Sequence, residues 1–289
     1  MDTILIWAFT VVNAIAILAL ISSGLAVIFG MMRVINFAHG EFLMLGGYAT
    51  ILACRLGLNI WVAIFVVAPL TVGLIGCLVE RLIIRRMYGN LVGTMLATWG
   101  LSLFLIGGIT AIFGNTINGV SAPLGTIRVG SSGYTLGAYQ VAIVAIAFAL
   151  VAGGYVVLMR TRVGLVARAT MLNPELASVL GFNQSRIYAV TFTLGAALSG
   201  FAGALLAPIS GVTPHMGAAY VAKAFVTVIC GGGSVVAGLM SAATVLGPVE
   251  ALVSVVATPI VGQAALLLVA IVLLRIYPKG ISGLWTGER

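Results

Sequence analysis

Residues 4–29 read ILIWAFTVVNAIAILALISSGLAVIF, an unbroken stretch without a single charged side chain. About 20 helical residues cross the roughly 30 Å hydrocarbon core of a bilayer, so this run is long enough to span one. Comparable runs recur along the chain. They place further spans near 35–54, 60–80, 94–114, 139–159, 187–209, 219–235, 236–252 and 260–276, the last three short and interrupted by glycine. The fold class read from this pattern is an all-α polytopic membrane protein with about nine transmembrane helices, some broken by glycine. The start Met1-Asp2-Thr3 lacks a basic leader, and the apolar run behind it is too long for a signal peptide, so it is expected to stay as the first crossing.

Composition supports the reading. Of 289 residues only 7% are charged, against roughly 25% in soluble domains, and mean hydropathy is +1.23. A soluble core of this size would lack the polar side chains to clothe it. Almost nothing is left over for an independent soluble domain, so residues 1–289 read as one transmembrane domain.

The formal net charge of +8 does not point to nucleic acid, because the basic residues sit at the ends of apolar runs instead of in a patch. Arg33, Arg81, Arg85, Arg86, Arg160, Arg162, Arg168, Arg186, Arg275, Lys279 and Arg289 fall on one side of the expected membrane; Arg55 and Arg128 fall on the other. By the positive-inside rule the first group faces the cytoplasm. The N-terminus is then outside and the C-terminus inside, which requires an odd number of crossings. Cys54, Cys77 and Cys230 lie in apolar stretches without metal-ligand spacing and read as small buried hydrophobes.

Two connectors stand out. The outer one, near 115–138, is rich in Gly, Ser and Asn and reads as a polar link with a short surface turn. The inner one, near 160–186, holds a helix signal: Asn173 as N-cap, Pro174 at the first helical position, Glu175 against the positive helix end, and Gly181 as terminator. Leu176, Val179 and Leu180 share one face of this two-turn helix, with Glu175 and Ser178 off it. So short a helix is marginal in water alone. Either a cytoplasmic partner covers its apolar face, in a helix-in-groove mode, or it rests on lipid headgroups.

Polar residues at membrane depth are costly and face protein or a water-filled path. Arg33, Asn36, His39 and Glu41 cluster at the junction of the first two spans, between Gly30 and Gly40, which permit a break. Two roles fit Asn36, His39 and Glu41: gating of a translocation path, or capping and pairing within the fold. Lys223 and Glu250 fall toward the outer face on neighbouring spans and are expected to pair. Ala196-Gly200-Ala204 and Gly233-Ala237-Ser241 form small-residue stripes suited to close helix approach. Close packing is the first reading of these glycines; as the alternative, Gly231-Gly232-Gly233 would break a helix near a solute path, as transporters do.

Certain chemistry is missing. The lysines, Lys223 and Lys279, follow Ala and Pro, so no Gly-Lys phosphate loop exists. His39 and His215 are the histidines, too few for a metal cluster, and no nucleophile–base set for an intramembrane enzyme is apparent. Beyond Glu41 and Glu250 the spans offer little for a proton or sodium relay.

Several blocks resemble one known family. Gly-Leu-Ala-Val-Ile-Phe-Gly from Gly24, followed by Met-Met-Arg-Val-Ile-Asn-Phe-Ala-His-Gly-Glu-Phe-Leu-Met-Leu-Gly-Gly-Tyr-Ala to Ala49, is similar to the start of branched-chain amino acid ABC transporter permeases of the Liv type. So are Arg168-Ala169 with Asn173-Pro174-Glu175-Leu176-Ala177 and Leu180-Gly181, then Lys223-Ala224-Phe225 with Gly231-Gly232, and the ending Tyr277-Pro278-Lys279-Gly280. The resemblance implies a membrane-spanning permease subunit in a bacterial inner membrane. Its implied partners are a second permease subunit, two cytoplasmic ATPase subunits and a periplasmic solute-binding protein. ATP and Mg would be bound by the ATPase subunits, so this chain itself would need no cofactor and hydrolyse nothing. Residues 173–181 would be the coupling segment.

The sequence departs from the family pattern at Gly231-Gly232-Gly233-Ser234, where a Gly-Gly-x-Gly run is usual, and at Ile281, where Leu is usual. Urea and short-chain amide importers have similar permeases with a variant of the Asn-x-Ala-His-Gly-Glu block. The low intramembrane charge fits any zwitterionic or neutral solute: branched-chain or other hydrophobic amino acids first, urea or an amide as the alternative. An ATP-independent channel is the reading from another class.

Overall fold

The computed structural model describes residues 2–129 and 134–284. Met1 and Arg289, used in the readings of the terminus and of charge, lie outside them, as does the middle of the outer connector. The elements in order are α1 (Asp2–Met32), α2 (His39–Arg55), α3 (Ile60–Val62), a π-helical turn (Ala63–Val67), α4 (Ala68–Leu82), a 3-10 turn (Ile84–Met87) and α5 (Leu91–Phe113). Then come β1 (Thr126–Val129), β2 (Tyr134–Gly137), α6 (Ala138–Arg160), α7 (Arg162–Leu172), α8 (Pro174–Val179), α9 (Gln184–Ser210), α10 (Met216–Gly231), α11 (Val235–Val256), α12 (Pro259–Ile276) and a last 3-10 turn (Ile281–Leu284).

The protein is a polytopic, predominantly α-helical membrane protein. Among the described residues, seven helical segments are long and apolar enough to cross a membrane: Ile4–Met32, Ile60–Leu82, Leu91–Phe113, Ala138–Arg160, Gln184–Ser210, Val235–Val256 and Pro259–Gly283. The other two expected spans are shorter helices, α2 with 17 residues and α10 with 16. At 1.5 Å per residue they reach roughly 25 Å and 24 Å. Local backbone explains both. The second span was expected from residue 35, but Arg33 takes a left-handed φ of 51° and the helix resumes only at His39. α10 stops at Gly231 because Gly232 turns to φ 79°. The outer connector also differs from expectation, since β1 and β2 pair antiparallel, Thr126 opposite Gly137 and Ile127 opposite Leu136. Four-residue strands give too short an alternation to be read from sequence.

The chain forms two compact units. One comprises residues 23–121 and 154–222, the other 1–22, 122–153 and 223–289. The first is organised around α9, which packs chiefly on α4 and α2. Contact is close because the facing residues are small. A Cβ on Gly203 would overlap the Leu43 carbonyl, one on Gly46 the Gly200 backbone, and one on Gly76 the Ala196 side chain. The stripe Ala196-Gly200-Ala204 is buried throughout. Phe42 meets Phe192 edge-on, ring centres 6.0 Å apart. Around them Ile28, Val72, Val79, Ile84 and Ala167 close an apolar cluster.

In the other unit α11 packs along α12. Gly231 and Gly238 allow backbone contact between the end of α10 and α11. The second stripe expected from sequence is corrected here. Gly233 is exposed in the turn, with open space where a Cβ would be, and Gly238 takes the close contact because it lies one helical turn inside α11.

Candidate functional site

The polar junction comes first. Asn36 and His39 are completely buried and Glu41 is nearly so. Asn36 does not cap α2 with its side chain: its Oδ1 accepts from the Ala38 amide at 3.0 Å and its carbonyl from the His39 amide at 3.3 Å, which makes a turn before the helix. His39 Nδ1 lies 3.1 Å from Ser199 Oγ on α9. Ser102 of α5 lies beside Glu41, whose Oε2, like Asn36 Nδ2, is buried with no partner. Buried polar atoms are almost always paired; here two within six residues are not. Arg33, Asn90 and Thr94 help to line a cavity of about 160 Å³ at its edge. Arg33's left-handed backbone costs a non-glycine residue about 1–3 kcal/mol, and such strain concentrates at functional sites.

The short helix of the 160–186 connector forms as its residues dictate. Asn173 accepts from the Leu176 amide at 3.0 Å, and Pro174 occupies the first helical position. At the other end Gly181 has φ 89°. Its amide bonds to Ser178 at 3.0 Å and the Phe182 amide to Ala177 at 3.1 Å, the paired bonds of a glycine-terminated helix. Ala177 is the buried residue of α8. Leu176, Val179 and Leu180 are 60%, 84% and 73% exposed. Leu172, at the end of α7, is also exposed.

Lys223 and Glu250 lie together: Lys223 Nζ donates to Glu250 Oε1, with both side chains about one-fifth exposed. Of the glycine triplet, Gly231 ends α10, Gly232 packs under Lys279 and Gly280, and Gly233 is open. The three lie together at the turn between α10 and α11.

A match to known families joins these parts. Residues 7–276 match the family described as the branched-chain amino acid transport system permease component. The chain belongs to this family. It is 30% identical over 282 residues to the high-affinity branched-chain amino acid transport system permease protein LivH of Escherichia coli K12, covering 92% of this chain and 91% of the relative. It is 29% identical over 255 residues to BraD, the corresponding protein of Pseudomonas aeruginosa, covering 81% and 80%. The probable LivH of Methanocaldococcus jannaschii is 27% identical over 281 residues. No solved structure matches.

In this permease component the sequence reading missed two features. α5 buries only Thr94, Thr98 and Ser102, spaced by four. This hydroxyl stripe faces the junction, with Thr98 Oγ1 accepting from the Phe37 amide at 3.1 Å and Ser102 beside Glu41. Its signal was the i, i+4, i+8 spacing in an otherwise apolar helix. The second is Glu80, passed over because it sits at the very end of a span, yet completely buried. Its Oε1 accepts from Tyr88 and, at 3.3 Å, from Arg85 Nε. Burial, and then the bond it gives to Glu80, push the Tyr88 phenol up, so it remains a donor at any physiological pH. Tyr88 meets Tyr188 of α9 edge-on at 5.1 Å, and Gln184 donates to the Tyr188 hydroxyl at 3.0 Å.

Proposed function

We propose that this chain is the membrane-spanning permease subunit of an ATP-binding-cassette importer for branched-chain or other hydrophobic amino acids, and that α8 is the element its ATPase partner grips. The observation that carries the reading is the apolar face of α8. Leu176, Val179 and Leu180 stand exposed on a helix capped at both ends, so its shape is fixed before any partner arrives. A two-turn helix gains too little from its own hydrogen bonds to justify that exposure.

By likeness to its relatives, the chain works with a second permease subunit, two cytoplasmic ATPase subunits that bind ATP and Mg, and a periplasmic solute-binding protein. It lies in the inner membrane with its N-terminus outside and its C-terminus in the cytoplasm, an orientation supported by eleven inner against two outer basic residues. Asn36, His39 and Glu41, with the hydroxyl stripe of α5, line or gate the solute path. The low charge within the spans, 7% charged residues over the whole chain, favours a zwitterionic or neutral solute. The binding protein carries much of the selectivity, so the solute is tested there: tight binding of leucine, isoleucine and valine is expected, and a preference for urea or a short amide would replace that part of the reading.

The coupling reading is tested by Leu176→Asp with Leu180→Asp. The ATPase subunits should no longer co-purify while the permease remains folded. Retained association would sink it. Full-rate downhill uptake by the purified chain alone in liposomes would mark it as a channel instead.

A further inference from the structure

Two oppositely charged side chains in the unit built around α9 each keep a buried atom without a partner: Glu80 Oε2 and Arg168 Nε. Both border one apolar cluster. Val79 and Ile84, on either side of Glu80, belong to it, and so does Ala167, next to Arg168; Met171 of α7 packs against it.

Their attachments differ. Glu80 is on α4, the helix most extensively packed on α9. Arg168 is on α7, which is joined to α8 through the single residue Asn173. The Asn173 amide bonds to Ala169 at 3.1 Å while its side chain caps α8, so one residue ends the first helix and starts the second. Gly164 lets α7 fold back tightly on the end of α6, where a Cβ would overlap the Val157 and Leu158 carbonyls. A joint this short passes little slack between α8 and Arg168.

A fully buried carboxylate with one unsatisfied oxygen is unfavourable wherever it occurs, because the desolvation of that atom is uncompensated. The same holds for the guanidinium N–H. Each is the chemical complement of the other, and an arginine–carboxylate contact is the strongest type available to them. Arg85 does not remove the need, since it is 43% exposed and shares Oε1 with Tyr88.

We propose that Glu80 Oε2 and Arg168 Nε pair in a second conformation of the transport cycle, latching the α7–α8 segment to α4 when the ATPase subunits move α8. The inference rests on the reading of α8 as the docking element. Glu80 and Arg168 are then positioning residues: they touch neither solute nor nucleotide but set how motion at α8 reaches the α2–α4–α9 core.

The test uses the assembled importer in which Cys54, Cys77 and Cys230 are replaced by alanine and Glu80→Cys and Arg168→Cys are introduced. A short bifunctional thiol reagent is applied without nucleotide and with Mg-ATP trapped by vanadate. Cross-linking should be several-fold greater in one condition than in the other. Equal yields, or none in either, overturn the latch. A second measurement needs no cysteines. Glu80→Gln and Arg168→Gln should each lower solute moved per ATP hydrolysed, and the double variant should be no worse than the poorer single one. Multiplicative losses overturn the proposal, as does unchanged coupling in both singles. Failure of docking is read separately: if the variant with Leu176→Asp and Leu180→Asp still binds the ATPase subunits, the docking reading falls, whatever the cross-links show.

Discussion

Helices α8 and α9 follow one another in the chain with four residues between them, yet treat their apolar surface in opposite ways. α9 is largely buried and meets its neighbours through Gly195, Ala196, Gly200, Gly203 and Ala204. α8 holds its larger leucines and valine outward and buries only Ala177. The contrast follows from what each must touch. Within lipid there is no hydrophobic drive to bring helices together, so close backbone approach over small residues supplies the contact. An exposed bulky apolar face marks contact with another protein or with a membrane surface, and under the proposed function that contact is the ATPase subunit. Side-chain size, more than hydrophobicity, separates the two roles.

That contrast can be broken most severely at the α2–α9 seam. Gly203→Ala drives a methyl group into the Leu43 backbone. Overpacking costs about 1–3 kcal/mol, and more where backbone must shift. The variant should lose most of its folded, monodisperse fraction in detergent size-exclusion chromatography; a normal profile would mean the seam is looser than described. The paired aspartates at 176 and 180 should act the other way round. Burying two leucines is worth roughly 1.5–3 kcal/mol each, so ATPase affinity should fall on the order of 100-fold or more, while melting changes little because the sites are exposed.

Smaller effects sharpen the comparison. Removal of Lys223 or Glu250 by alanine should show a coupling energy of roughly 0.5–3 kcal/mol in a double-mutant cycle of stability; strict additivity would mean that the contact contributes nothing. Unlike Glu80, this pair is matched, both members being about equally exposed, and ATP-coupled transport should follow its stability alone. Asn173→Ala removes the cap of α8 at a cost of about 1 kcal/mol, and the ATPase affinity should weaken by no more than about tenfold. A loss as large as that of the aspartates would assign Asn173 a direct contact.

Much was legible because its physics is local. The long uncharged runs set the class of fold, since the bilayer admits only helices or closed barrels. α8 was readable to the residue, because Asn173, Pro174 and Gly181 act on the backbone beside them. The Lys223–Glu250 contact followed from the high cost of an isolated charge at depth. Tertiary structure decided the rest. That Asn36 shapes a turn and leaves α2 uncapped, that Gly238 and not Gly233 makes the close contact, and that Glu80 is sealed beneath Tyr88 all depend on neighbours remote in sequence. So does the hydroxyl stripe of α5, which is only a spacing until Phe37 and Glu41 are set against it. Hydrophobicity and backbone preference belong to each residue and its immediate neighbours. Whether a polar atom is paired or orphaned depends on what the fold brings up to it.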